Sequence, residues 1–194
     1  MGYVKILSET TKNPISLIGE RAGICWGANV ENTERNYKRG LDCIGAGHGR
    51  TLEYVNVELV IDGYSARVIR EWYTHLGGAP TRLQASTRYI DYEHGFEYVT
   101  PDTIRKNERA NSVYTAMMDF LQRGLKELDE LGIPREDSAM GLPIGMTTKI
   151  VCKHNLRNLI DMSHQRLCTR AYHECRRLFK DLCESLRDYS VEWA

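Results

Sequence analysis

The sequence predicts a domain of the α+β class, in which short strands and longer helices share one core. Three observations predict it. Residues 54–62 alternate Val55, Val57, Leu59 and Ile61 with Asn56, Glu58 and Asp62, the period-two pattern of a strand buried on one face. Residues 107–131 instead space Val113, Met117, Phe120, Leu121, Leu125, Leu128 and Leu131 as a helix does, and that stripe reads as core. The length, 194 residues, suits a single domain over residues 1–194 with a sizeable interior.

The other elements follow in order. Tyr3 to Leu7 reads as a first strand. Pro14 opens a helix to Cys25, and a second runs from Asn32 to Ile44 with Arg35, Lys38 and Arg39 on its solvated side. Gly45 through Glu53 is rich in glycine, yet it does not fit GxGxxG and a strand follows it, so it is no dinucleotide fingerprint. Beside His48 and Arg50, those glycines suit either a loop that brings backbone to an anion or a flexible connector. Asp62-Gly63 predicts a turn, and Ser65 caps a helix over 66–76 whose stripe is Val68, Ile69, Trp72 and Leu76. Residues 90–95, including Glu93, read as a turn, and Phe96 to Val99 as a short strand. Gly132-Ile133-Pro134 stops the long helix. A helical turn at Arg135–Ser138, a strand from Thr147 to Cys152, a helix from Asn155 to Leu167 and a closing helix from Thr169 to about Tyr189 complete the chain.

Charge and cysteines narrow the function class. With 26 basic and 26 acidic residues the net charge is zero, so no global field draws the chain to nucleic acid or to a membrane surface. No apolar run is long enough to span a bilayer, and the segment MGYVKILSET lacks both a signal-peptide core and the Ser or Thr of a myristoylation signal. A cytoplasmic protein is expected. The six cysteines form no CxxC pair, which argues against zinc; Cys168, Cys175 and Cys183 recur near one helix face as small apolar residues do.

Two stretches carry chemistry. Residues 70–89, REWYTHLGGAPTRLQASTRY, crowd hydroxyls, guanidiniums, an amide and an imidazole around Gly77-Gly78; the plain alternative is a helix, a glycine stop and a polar turn. Glu71 and His75 stand four apart on the expected helix, but two ligands without a third make no metal site, and no metal is expected. The helix 155–167 holds Arg157 and Arg166 nine residues apart, which at about 100° per residue points them to opposite sides. Its leucines indicate burial, so each arginine needs an anionic partner, and two different anionic ligands would serve.

These residues together resemble the flavin-dependent thymidylate synthases. The family signature RHRxxSxNExSxRY is similar to Thr81-Arg82-Leu83-Gln84-Ala85-Ser86-Thr87-Arg88-Tyr89 in its tail. The family's NxRSLxxFxxLRLxxxAQWE helix pair resembles Asn155 through Leu159 and Arg166 through Ala171, and its HxxxxEH loop resembles His48 through Tyr54. The resemblance covers nearly the whole chain. It implies an α+β fold with a mixed sheet and long helices, a homotetramer with active sites shared between subunits, FAD as cofactor, and conversion of dUMP to dTMP with methylenetetrahydrofolate and NADPH as co-substrates. By resemblance His48, Arg50, His75, Gln84, Asn155, Arg157 and Asp161 fall at FAD contacts. Glu71, Gln84, Ser86, Arg88 and Arg166 fall at dUMP contacts. Arg166 matches the catalytic arginine that polarises the uracil N3–O2 edge, and Ser86 a phosphate-binding hydroxyl rather than a nucleophile.

The chain also departs from the pattern. RHR is Thr74-His75-Leu76, and two extra residues lengthen the loop through Gly77-Gly78-Ala79-Pro80. Glu71 stands where the family has glutamine, and Ala139 where it has an arginine for a neighbour's dUMP phosphate. Arg82, assisted by Arg50, is the candidate to replace the lost charge; a solvated loop arginine is the alternative. One-carbon transfer to a related pyrimidine nucleotide, or a binding protein that has lost the reaction, are the competing readings.

Overall fold

The computed structural model describes residues 2–92 and 94–194, so Met1 and the Glu93 part of the expected 90–95 turn lie outside the described residues. Helices and a four-stranded sheet ordered β1-β2-β4-β3 make up the fold, as the α+β reading requires. The strands are β1 (Tyr3–Ile6), β2 (Asn56–Ser65), β3 (Thr81–Gln84) and β4 (Thr147–Asn155). The helices are α1 (Pro14–Cys25), α2 (Thr33–Gly45), α3 (Ala66–Trp72), α4 (Asp102–Arg105), α5 (Glu108–Glu130), α6 (Arg135–Ser138), α7 (Leu156–Arg166) and α8 (His173–Tyr189). The sheet is antiparallel, not mixed: Leu7 N donates to Glu58 O, Leu156 N to Val55 O, Ala66 N to Met146 O and Ala85 N to Lys149 O, each pair running in opposite senses.

The chain divides into two compact units. The larger holds Gly2–Ile61, Tyr73–Leu83 and Ile150–Ala194. Val55, Val57, Leu59 and Ile61 of β2 are fully buried, which is what their alternation requires. Leu178, Phe179, Leu182 and Leu186 sink the inner face of α8 at helical spacing. Each such side chain contributes about 1.5–3 kcal/mol by leaving water. Asn32 accepts from Arg35 N at 2.9 Å and so fixes the start of α2. Helices α1 and α2 cross backbone to backbone, because a Cβ on Gly19 would fall 1.8 Å from Asn36 O and one on Gly40 2.0 Å from Ile15 O. The closing helix begins at His173 rather than Thr169, and Arg176 reaches back to the carbonyls of Thr169 and Ala171 at 2.5 and 2.7 Å.

The smaller unit holds Asp62–Trp72 and Gln84–Lys149. No turn forms at Asp62-Gly63: β2 continues to Ser65 and passes Gly63 at φ 72°. Ser65 Oγ does cap α3, accepting from Val68 N at 3.3 Å, but the helix ends at Trp72 instead of residue 76. Phe96, Met118, Leu125 and Met146 form the local core with Tyr98, Tyr114 and Leu142 around them. The expected strand at Phe96–Val99 is reduced to one bridge, Tyr98 to Met146. Asn107 caps α5 by accepting from Ala110 N at 3.0 Å. Its apolar stripe is not core throughout, since Val113, Met117, Phe120 and Leu131 are 54–70% exposed.

Candidate functional site

The larger unit organises its polar residues around α7. Asn155 starts the helix by accepting from Asn158 N at 2.8 Å, and Leu159 and Met162 bury its apolar side. The two arginines do point to opposite sides. Arg157 donates through Nη1 to Glu53 Oε1 at 2.8 Å, on the 3-10 turn Gly49–Tyr54. Gly49 lies beside the same guanidinium, whose carbon would be 3.6 Å from a Cβ placed there. Arg157 is half solvated, and its guanidinium has donors beyond the one given to Glu53. Asp161, one turn further on the same side, is exposed, as are His48 and Arg50 at the start of the 3-10 turn.

The opposite side of α7 meets the loop after α3. Arg166 Nε donates to His75 Nε2 at 2.8 Å and its Nη2 to Thr74 Oγ1 at 3.2 Å. His75 Nε2 is the acceptor in that bond. Arg82 lies 4.6 Å from the Tyr73 ring centre, a cation–π distance, with Nη1 3.5 Å from His75 O. Burial raises the Tyr73 hydroxyl above its ordinary range, against the opposing pull of Arg82. The loop turns at Gly78, φ 72°, and at Ala79, φ 49°, a left-handed conformation unusual for a residue with a Cβ. Leu76, expected within a helical stripe, is 69% exposed on this loop. Because α3 stops at Trp72, Glu71 and His75 do not share a helix side; Glu71 is half-buried in the smaller unit.

In the smaller unit Gln84 ends β3 and donates from Nε2 to Thr148 Oγ1 at 3.3 Å. The turn after it is built on Ser86: its Oγ accepts from Arg88 N at 3.3 Å and its carbonyl from Tyr89 N and Ile90 N at 3.1 Å. The Arg88 guanidinium sits 5.4 Å from the Tyr89 ring centre. Among the described residues no group of three or more His, Cys, Asp or Glu could hold a metal ion, and no helix is long and apolar enough to cross a membrane.

Sequence reasoning passed over His154 and Asn158. Residues Thr148, Ile150, Cys152 and His154 take the inward positions of β4, so a histidine occupies a place that the alternation reserves for core. His154 is 1% exposed and its Nδ1 lies 2.6 Å from Asn158 Oδ1. Burial pushes the imidazole pKa down to about 4, helped by Arg82 and His75 and opposed by the Asn158 bond.

The family described as thymidylate synthase complementing protein matches residues 6–190. Proteins named flavin-dependent thymidylate synthase are similar along most of the chain. The one from Geobacter sulfurreducens is 28% identical over 89% of this chain and 77% of its own. That of Clostridium tetani is 24% identical over 96% and 83%, and that of Pyrococcus furiosus 30% identical over 91% and 75%.

Proposed function

The chain belongs to the thymidylate synthase complementing protein family, and from that premise we propose how its residues divide the work of a flavin-dependent thymidylate synthase. The reaction converts dUMP to dTMP, with methylenetetrahydrofolate as carbon donor and NADPH as reductant. The match over residues 6–190 supports one functional domain with the family's fold, and a cytoplasmic location belongs to the same reading.

The donor set fits FAD. Arg157 offers guanidinium donors beside a glycine that leaves backbone accessible, Asn155 offers an amide, and His48 and Arg50 stand exposed on the neighbouring turn. These residues would hold the pyrophosphate, Asp161 would accept from a ribose hydroxyl, and His75 would border the ring system; Gln84 is assigned to FAD by the family resemblance. Bound there, reduced flavin supplies the hydride for the pyrimidine.

Arg166 is the catalytic residue. Held through Nε and one Nη, its planar guanidinium keeps a fixed orientation and stabilises negative charge on the uracil N3–O2 edge. His75 thus orients Arg166 as well as contacting the cofactor. Ser86 and Arg88 bind the dUMP phosphate, Gln84 the nucleotide, and Glu71 a donor on it. Arg82, stacked on Tyr73 and near His75 O, supplies the charge that Thr74 and Leu76 lack, with Arg50 assisting. The exposed apolar residues of α5 support a homotetramer, in which each active site is completed by several subunits.

The observation that carries the reading is the pairing of Arg166 with His75 and Thr74. Tritium release from C5-labelled dUMP, measured on protein whose visible spectrum shows flavin, tests it. Turnover with bound FAD is expected; a protein that binds no FAD at micromolar concentration, or releases no tritium, overturns it.

A further inference from the structure

We propose that His154 is a positioning residue, which through Asn158 fixes the Gly77-Gly78 turn and so the register of His75 against Arg166. This rests on the reading of Arg166 and His75 given above.

An imidazole sealed in a core loses hydration, and an aliphatic side chain would continue the inward row of β4 at no such cost. His154 Nδ1 donates to Asn158 Oδ1 at 2.6 Å. That bond orients the asparagine amide, whose Nδ2 then lies 3.3 Å from the position a Gly77 Cβ would take. Next to it, Asn155 Nδ2 comes within 2.3 Å of the corresponding position at Gly78. A side chain at Gly78 would collide with Asn155, and one at Gly77 would crowd Asn158.

The far end of the loop is held by the same helix. Asn155 and Arg166 are eleven residues apart, three turns plus about 20°, so they lie nearly in line along α7. Asn158 to Arg166 spans about 12 Å of helix axis. The loop runs along α7, bonded by Arg166 at Thr74 and His75 and packed against the asparagines at Gly77 and Gly78, where it turns with Ala79 N donating to Leu76 O at 3.2 Å. Loosening the packing at Gly77 and Gly78 lets His75 move relative to Arg166. The imidazole is neutral down to about pH 4, so it acts as a fixed hydrogen-bond donor and not as a proton shuttle.

The test uses the full chain, with and without FAD. In His154→Leu, hydrogen exchange of residues 73–80 in the FAD-free protein should quicken at least about tenfold while exchange in α8 is unchanged. Its kcat should fall at least about tenfold with KM for dUMP within about threefold. His154→Asn, which keeps a donor at the δ position, should restore most of both. Unchanged exchange and kcat in a folded His154→Leu overturns the proposal, and so does a His154→Asn as impaired as the leucine variant. If His154→Leu does not fold, Gly77→Ala, which presses on Asn158 from the exposed side, decides: faster loop exchange supports the proposal, and wild-type exchange with wild-type kcat overturns it. A wild-type protein that releases no tritium, yet whose loop exchange responds to His154→Leu, would overturn the functional reading and leave the positioning role supported.

Discussion

Arg157 and Arg166 occupy one eleven-residue helix and live in opposite circumstances. Arg157 is half solvated and shares one nitrogen with Glu53, an exposed pair of the kind that adds only about 0–1 kcal/mol to stability. Arg166 is half-buried and fastened by two bonds to a loop imidazole and a hydroxyl. The difference teaches how one helix can serve two ligands. A loosely partnered guanidinium can exchange its partner for a phosphate, whereas a fastened one can only present a fixed charge to a reacting atom.

Arg166→Ala should break the comparison most severely. Tritium release from labelled dUMP should drop about 100–1,000-fold, the scale for losing a preorganised charge at a reacting centre. Next comes acid stability, where the neutral His154 beside Arg82 and His75 sharpens the contrast between the two sides. The unfolded chain binds a proton at about pH 6.5 that folded His154 refuses until about pH 4, so stability is fully present above that window and declines as pH falls through it. By pH 4 the loss should reach about 3 kcal/mol, and denaturant titrations of His154→Leu should show a flatter profile. Arg157→Ala should weaken FAD by about 1.5–3 kcal/mol in a flavin titration while kcat at saturating FAD is kept within about threefold. Arg82→Ala should have the smallest effect, about 1.5 kcal/mol on FAD or dUMP affinity, and unchanged titrations of both would remove its compensating role.

How far the sequence could be read depended on what each signal reports. Helices α1, α2, α5 and α7 start within a residue of where proline, asparagine caps and apolar spacing put them, because capping is a local interaction. The α5 stripe was taken for core since periodicity reports an apolar face and not what covers it; α8, with similar spacing, buries Leu178, Phe179 and Leu182, while Phe120 on α5 is 69% exposed. Strand β3 was invisible, because TRLQ has no alternation to see and pairs only through its neighbour β4. Leu76 continued the α3 stripe on paper, yet the helix ends at Trp72 four residues before it. The opposite directions of Arg157 and Arg166 were legible from their spacing. His154 was not, since a polar residue at an inward strand position announces itself only when the row of Thr148, Ile150 and Cys152 is followed one step further. The partner of Arg166 was also unreadable: His75 and Thr74 lie about ninety residues away in sequence and are brought to it by the fold.

The central claim is that α7 separates flavin binding from chemistry on the pyrimidine. Bound flavin and tritium release measured on the same preparations of Arg166→Lys and Arg157→Ala test it most directly. Lysine keeps the charge of Arg166 but not its planar fork. The account predicts that Arg166→Lys retains flavin and loses turnover, and that Arg157→Ala loses flavin affinity and recovers turnover when FAD is saturating. Flavin lost from Arg166→Lys with affinity intact in Arg157→Ala would contradict it.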